Sequence, residues 1–288
     1  MQPDMLKTMK QLLEIEKNFT THIGGIKNFY NLKNDETIKK INKSFRQSMQ
    51  LLLRRSVKKV PKKIGFFPVA GNPIHWGHLL TAFKALTKFK LDKIVFICGG
   101  YDSRKPKLLP PGVRYPMIQI ALKIFNNFFE LSDMPLNSEY ATKQGEINIF
   151  NELNLDKYSK YVVPYYIVGS DHFNWTKNGK DDTLKILTEN MLNKELNKKN
   201  FKVNAIFIAR NINEISRTKQ EELQKKVNFN ISILVPDFSY SSTQIRNVYK
   251  YVNEKKLDIS SLSLNKYTPF LYVPYGVFIH INTLGLYN

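Results

Sequence analysis

The stretch from residue 64 to residue 86 restricts the fold more than any other part of this chain. Residues 64–69 form an apolar run that is too short for a helix, and Gly71, Asn72 and Pro73 end it. This pattern predicts a buried strand that enters a turn. Apolar residues then recur at helical spacing, which predicts a helix directly after the turn. The rest of the chain is expected to be arranged around this strand, turn and helix.

Two histidines lie at the predicted start of this helix. If the helix begins near Trp76, His75 and His78 are three residues apart and share one face of its first turn. A helix N-terminus carries unpaired N–H groups and the positive end of the helix dipole, so anions bind there readily. The pair therefore indicates a polyphosphate site, although a turn cap at His75 and a packing role for His78 fit the spacing equally well. No Cys or further His cluster accompanies the pair, which argues against zinc.

The charge and composition of the chain limit its partners and its compartment. Lys and Arg number 44 against 24 Asp and Glu, a net charge of +20 that attracts polyanions. Lys and Asn are frequent throughout the chain, so a compositional bias explains this charge and a nucleic-acid partner is not expected. No apolar stretch approaches the ~18 residues that span a bilayer, and residues 1–7 contain no apolar signal core, so neither a membrane nor export is expected. Cys98 is a single cysteine, which favours a cytoplasmic protein.

Short apolar runs alternate with helical patterns along the chain, which favours an α/β, Rossmann-like fold. We expect residues 61–288 to form one domain, a parallel sheet with helices on both faces. Its strands are predicted at residues 64–69, 93–98, 164–169, 203–209 and 231–235. Residues 1–60 are expected to form a helical N-terminal extension. Its apolar stripes need a partner surface, either the main domain or another subunit, so a homo-oligomer is one of two open arrangements.

Several polar residues follow the predicted strands. In parallel α/β sheets, ligands collect beyond the carboxyl ends of the strands. Lys107 lies in the loop after the second strand. Arg114 stands near the start of the next helix, where a cation opposes the helix dipole, so we expect it to face an anion or a carboxylate. Asp171 follows Gly169 at the end of another strand, where a carboxylate either binds the hydroxyls of a ribose or caps a turn.

A second polar cluster precedes a helix near residue 242. Ser242 or Thr243 is expected to cap this helix and to leave N–H groups and hydroxyls for phosphate oxygens. Arg246, one turn later, can add a forked cationic contact. Taken alone, the cluster favours an ordinary N-cap with an exposed arginine.

These segments together resemble a known family. Residues 72–78, Asn-Pro-Ile-His-Trp-Gly-His, resemble the HxGH signature of the nucleotidyltransferase superfamily. Residues 241–246, Ser-Ser-Thr-Gln-Ile-Arg, resemble the second signature of mononucleotide adenylyltransferases. Residues 274–287, from Pro-Tyr-Gly-Val to Leu-Tyr, are similar to the ending of bacterial nicotinate mononucleotide adenylyltransferases. The chain is therefore identified as resembling the bacterial nicotinate/nicotinamide mononucleotide adenylyltransferases over roughly residues 62–250 and 273–288.

The resemblance implies a reaction and a set of site residues. Such an enzyme moves AMP from ATP to nicotinate or nicotinamide mononucleotide and forms an NAD-type dinucleotide and pyrophosphate, with Mg²⁺ bridging the ATP phosphates. By this resemblance the catalytic residues are His75, His78 and Arg246, ATP is bound by Asn72, Gly77, Gly169, Asp171, Ser242 and Thr243, and the mononucleotide is contacted by Lys107, Arg114 and Trp175.

Two departures from the family pattern keep alternatives open. The family signature usually begins with Gly-Gly-Thr or Gly-Gly-Ser, whereas residues 68–70 are Pro-Val-Ala. Pro68 has no N–H, so either Gly71 takes over the close approach to phosphate or the site is weakened. Residues 146–148, Glu-Ile-Asn, replace a Ser-Tyr-Thr-like segment beside the pyridine ring. The alternatives are transfer to another phosphate acceptor, such as phosphopantetheine or FMN, and a nucleotide-binding or RNA-binding protein without turnover.

Overall fold

Six parallel strands form one sheet in the computed structural model, which describes residues 36–53, 62–100, 105–133, 162–169, 203–209, 220–221, 229–236, 241–255 and 273–287. The strands are β1 (Lys63–Val69), β2 (Lys93–Cys98), β3 (Phe129–Leu131), β4 (Val163–Gly169), β5 (Val203–Ile208) and β6 (Phe229–Leu234). Their order across the sheet is β3-β2-β1-β4-β5-β6. The predicted Rossmann-like α/β fold is confirmed.

The strand order defines where a ligand can bind. From β1 the chain moves outward through β2 to β3, and β4 then pairs with the other side of β1. Strands β1 and β4 therefore flank the topological switch point, and the crevice for ligands in such sheets lies outside their carboxyl ends. Val69 and Gly169 are the last residues of these two strands. The turn before His75 begins at this crevice.

Five α-helices and a short 3-10 helix (Lys123–Phe125) are described around the sheet, and we number the α-helices in chain order. They are α1 (Glu36–Leu53), α2 (Trp76–Lys88), α3 (Pro111–Leu122), α4 (Ser242–Glu254) and α5 (Tyr275–Thr283). Helix α2 begins at Trp76, as predicted. None of the helices that the structure describes combines the length and apolar character that crossing a bilayer needs.

Most sheet strands coincide with predicted apolar runs, because strands buried on both faces of a parallel sheet are almost continuously apolar. In β1 five of seven residues are buried. Strand β3 was not predicted, since it has only three residues, with one buried and one exposed. Such a short segment carries no periodic signal.

Helix α1 joins the predicted N-terminal extension to the main domain. Phe45 is fully buried, and its ring contacts Phe83 of α2 (centroids 5.7 Å apart) and Phe125 (6.0 Å). Phe45 therefore belongs to the same hydrophobic core as the sheet. Of the two predicted partner surfaces, this helix uses the main domain. The first 35 residues lie outside the described part of the chain, and the boundary at residue 60 and a homo-oligomer stay predictions.

We expect Phe45→Ala to lower the free energy of unfolding by about 3–5 kcal/mol, the usual cost of removing a buried phenylalanine. The ring leaves a cavity against Phe83 and Phe125, and the surrounding helices relax only in part. Chemical denaturation checks the value. Leu51→Ala on the same helix is the matched control, because Leu51 is 51% exposed and its loss should cost less than about 0.5 kcal/mol. Equal losses in the two variants would contradict the packing of α1 on the domain.

Candidate active site

The turn between β1 and α2 depends on Gly71. Its φ angle is +60°, in the left-handed region that favours glycine. A Cβ atom at this position would lie 2.7 Å from Cδ1 of Ile118 in α3, so the space also requires glycine. Pro68, by contrast, lies inside β1 and pairs with Ile97 of β2. Gly71 therefore supplies the backbone freedom of this turn, and its close approach to phosphate stays one of the two predicted alternatives.

Asn72 connects three distant segments of the chain at this turn. It is 3% exposed, and its Nδ2 donates to the carbonyl oxygen of Lys107 (3.3 Å). Its Oδ1 accepts a hydrogen bond from the hydroxyl of Tyr287 (2.9 Å). Its backbone oxygen accepts from Nη1 of Arg246 (2.7 Å). The position of Asn72 is thus fixed from the loop before α3, from α4 and from the end of the chain.

The two predicted histidines lie against each other at the start of α2. His75 is the N-cap residue and is 4% exposed, whereas His78 in the first turn is partly exposed. Their ring centroids are 3.8 Å apart. The backbone N–H of His75 donates to Nδ1 of His78 (3.3 Å). Because Nδ1 of His78 accepts, the neutral ring carries its proton on Nε2, which leaves one N–H donor for a ligand.

Burial keeps both imidazoles neutral in the free protein. It lowers the pKa of His75 well below its ordinary value of 6.5, and the neighbouring His78 lowers it further. Burial lowers the pKa of His78 to about 4. An anion beside these rings would favour the protonated form and raise both pKa values. The pair can therefore bind a polyphosphate as neutral donors or take up a proton with it.

We expect the stability of the free protein to fall as the pH is lowered from about 6.5 toward 4. In that window the unfolded histidines, with an ordinary pKa, bind protons that the folded pair does not accept, so acid favours the unfolded state. Urea unfolding at a series of pH values measures the slope. His78→Gln removes one titrating group and should make the slope shallower. An unchanged slope in that variant would show that His78 is not held neutral by the fold.

Helix α4 begins one or two residues earlier than predicted. Ser241 is the N-cap, and its Oγ accepts a hydrogen bond from the backbone N–H of Thr243 (3.2 Å). The prediction that Ser242 or Thr243 caps the helix is therefore wrong, because Ser241 is the last residue with extended backbone angles. The hydroxyl of Ser242 instead donates to the carbonyl oxygen of Pro73 (3.1 Å). The start of α4 is thereby held against the turn that precedes α2.

Arg246 forms the second link between α4 and this turn. Besides its bond to Asn72, its Nη2 donates to Oγ1 of Thr243 (3.0 Å). The side chain is half-buried, and desolvation lowers its pKa from the ordinary value. A guanidinium stays charged after such a shift. A fixed cation therefore lies beside the N-terminus of α4 and the turn before α2.

Arg114 lies near the start of α3, as predicted, but its partners are not the predicted anion or carboxylate. It is fully buried, and its guanidinium also lies 3.4 Å from Sγ of Cys98. It donates to four backbone carbonyl oxygens, those of Ala70, Gly99, Gly100 and Leu109. These bonds join the turn after β1, the turn after β2 and the loop before α3. We therefore correct the predicted substrate contact: a side chain with no exposed surface acts here as a structural tie.

Some of the remaining predicted residues lie in the described part of the chain, and others lie outside it. Gly77 is buried in the first turn of α2, and Gly169 ends β4 at the switch point. The side chain of Lys107 is exposed, while its carbonyl oxygen accepts from Asn72. Asp171 and Trp175 lie outside the described residues, as do residues 146–148, and their roles stay predictions. Tyr287 was missed as a site residue, although the Leu-Tyr ending that it belongs to was noticed.

Comparison with known proteins agrees with this geometry. Residues 71–248, more than half of the chain, match the family model described as Cytidylyltransferase-like. A probable nicotinate-nucleotide adenylyltransferase of Thermoanaerobacter sp. (strain X514) is 32% identical over 191 residues, which are 64% of this chain and 81% of the relative. One of Desulfitobacterium hafniense (strain Y51) is 34% identical over 116 residues, 39% of this chain. That match spans 53% of the relative, about half of its length.

Solved structures show the same fold. The nicotinic acid mononucleotide adenylyltransferase of Plasmodium falciparum, complexed with NaAD, has a TM-score of 0.54 and 18% sequence identity. The match covers 78% of this chain and 97% of that protein. At this identity the likeness concerns the fold alone. From the family model and the Thermoanaerobacter relative, we conclude that the chain belongs to the cytidylyltransferase-like family and, within it, to the family of the nicotinate-nucleotide adenylyltransferases.

Proposed function

We propose that this protein transfers AMP from ATP to the phosphate of nicotinate or nicotinamide mononucleotide and forms an NAD-type dinucleotide and pyrophosphate. The observation that carries the proposal is the junction of the two signature segments. Arg246 and Ser242 of α4 bond to Asn72 and Pro73, directly before the histidine pair of α2. The relatives named nicotinate-nucleotide adenylyltransferase support the choice of reaction.

Two helix N-termini meet at this junction, which suits a triphosphate. Helix α2 begins after His75, and α4 begins after Ser241, whose neighbour Ser242 contacts the turn before α2. Each N-terminus offers backbone N–H groups and the positive end of a helix dipole. Arg246 adds a full positive charge between them. The arrangement concentrates donors and positive charge where the β and γ phosphates of ATP would lie.

The chemistry that this site must supply is positioning and charge stabilisation. The phosphate of the mononucleotide is already an adequate nucleophile, so no activated serine or cysteine is required. Held in line with the α-phosphoryl group, it displaces pyrophosphate, and the extra negative charge of the transition state needs fixed donors. His78 can supply its Nε2–H, and uptake of a proton by the pair would strengthen this donation. Arg246 and the hydroxyls of Ser242 and Thr243 would hold the departing pyrophosphate.

Magnesium is part of the proposal as an ion that arrives with ATP. In the described ranges, no group of three or more His, Cys, Asp or Glu side chains could hold a metal ion. The proposal requires no such group, because Mg²⁺ bound with a nucleotide usually takes phosphate oxygens and water as most of its ligands. When bound, Mg²⁺ neutralises part of the phosphate charge. The protein contribution is then the placement of the triphosphate by His75, His78 and Arg246.

The test is pyrophosphate release by the purified protein with ATP and Mg²⁺ and a panel of acceptors: nicotinate mononucleotide, nicotinamide mononucleotide, FMN, phosphopantetheine and none. We expect release only with a pyridine mononucleotide, and the faster of the two names the preferred acceptor. Release with FMN or phosphopantetheine alone would overturn the proposed acceptor and keep the transferase. ATP binding without any release, combined with salt-sensitive RNA binding, would overturn the enzyme.

A further inference from the structure

We propose that Tyr287 is a positioning residue of the nucleotide site, which acts through Asn72 on the turn before α2 and on Arg246. The inference rests on the proposed function, because it assigns a task to a residue near the end of the chain in the binding of ATP. It goes beyond that function, since the resemblance assigned no role to the Leu-Tyr ending.

Tyr287 bonds to the Asn72 amide in the orientation that the carbonyl oxygen of Lys107 fixes. Its hydroxyl donates to Oδ1 of Asn72 (2.9 Å), and on the other side Nδ2 of Asn72 donates to the carbonyl oxygen of Lys107 (3.3 Å). A carbonyl oxygen only accepts, so Lys107 requires Nδ2 on its side of the amide, and the hydroxyl, which can donate or accept, then donates to Oδ1. The side chain of Asn72 is thus clamped between two segments that are remote in sequence.

The ring of Tyr287 reaches the same helix that carries Arg246. Its centroid lies 6.1 Å from that of Tyr249 in α4. Arg246 and Tyr249 are three residues apart and therefore lie on one side of the helix. Arg246 also donates to the backbone oxygen of Asn72. The turn before α2 is therefore surrounded by a ring of contacts, which runs from Tyr287 to Asn72, from Asn72 to α4, and from α4 back to Tyr287. Loss of the Tyr287 hydroxyl removes the contact between Tyr287 and Asn72 from this ring.

The backbone at the end of the chain is held in an unusual conformation to make these contacts. Tyr287 has a φ angle of 69°, and Gly285, two residues before it, has a φ angle of 58°. The left-handed region is uncommon for a tyrosine and persists where surrounding contacts hold it. Burial also raises the pKa of the phenol, so the hydroxyl keeps its proton and remains a donor in the pH range of a metabolic enzyme.

The test compares Tyr287→Phe with the matched control Tyr275→Phe. Tyr275 lies in α5, where its ring stacks on Phe278. ATP affinity is measured by calorimetry with Mg²⁺, and kcat and KM are measured well below the melting temperature. We expect Tyr287→Phe to weaken ATP binding about 3–10-fold, the effect of one hydrogen bond. The control should bind ATP within about two-fold of the wild type.

A double variant shows whether the effect passes through Asn72. In an Asn72→Ala background, Tyr287→Phe should have almost no further effect on ATP affinity. A full effect in that background, or a lower melting temperature with unchanged ATP affinity in the single variant, would overturn the proposal. If Asn72→Ala does not fold, the comparison of Tyr287→Phe with Tyr275→Phe decides. The affinity measurement needs no turnover, so weakened binding without product from any acceptor would support the positioning role and reject only the proposed reaction.

Discussion

We expect His78→Ala to lower the rate of AMP transfer at saturating substrates by about 10²–10³-fold, the usual cost of removing one donor from a site that stabilises developing charge. His78 lies in the first turn of α2, and its Nδ1 is occupied by the N–H of His75, so its Nε2–H is the donor it can offer. Because this donor serves the transition state more than the ground state, kcat should fall more than KM rises. Steady-state kinetics of pyrophosphate release measures both constants.

The control for this variant is His280→Asn in the last turn of α5, outside the site. Its kcat should stay within about two-fold of the wild type. Both variants are compared at a temperature at which each is folded. If kcat of His78→Ala falls by less than about tenfold, the loss is well below the effect of a lost donor, and His78 does not contact the reacting phosphate.

The second large effect concerns stability. We expect Arg114→Met to lower the free energy of unfolding by about 3–5 kcal/mol, because four partly buried carbonyl oxygens lose the donor that the fully buried Arg114 supplies. Methionine fills part of the volume but donates no hydrogen bond. The turns after β1 and β2 then lose the tie that holds them at the switch point. Urea denaturation measures the change.

Arg46→Met in α1 is the matched control, since Arg46 is exposed and the same chemical change there should cost less than about 0.5 kcal/mol. Affinity for the pyridine mononucleotide adds a second readout. A stable Arg114→Met protein that no longer binds the mononucleotide would contradict the structural role and restore the predicted contact with substrate.

Local features of this chain were predictable from its sequence, and long-range contacts were not. The strand, turn and helix around His75 and His78 follow from a short apolar run, a Gly-Asn-Pro turn and helical spacing, all within one stretch of chain. The start of α4 was placed to within two residues, yet Ser241 rather than Ser242 or Thr243 is the cap, because adjacent hydroxyl residues offer equally good N-caps.

The errors arose where partners are far apart in sequence. Arg114 was expected to face an anion or a carboxylate. Its actual role was missed because a buried arginine that bonds to carbonyl oxygens of distant turns leaves no periodic pattern in the sequence. Its partner Ala70 lies 44 residues away. Tyr287 lies 215 residues from Asn72, and no local property of its segment indicates a hydrogen bond there. Only the folded sheet, which collects the ends of its strands at one edge, brings these groups together.

The most direct test of the central claim, that the two signature segments form one site of nucleotidyl transfer, follows the α-phosphate of ATP. With α-labelled ATP, Mg²⁺ and nicotinate or nicotinamide mononucleotide, the label should pass into a dinucleotide while pyrophosphate is released in equal amount. His78 in α2 and Arg246 in α4 contribute to the same step, so His78→Ala and Arg246→Gln should each suppress this transfer. Label that remains in ATP, appears as free AMP, or passes to the dinucleotide at an undiminished rate in either variant would contradict the account.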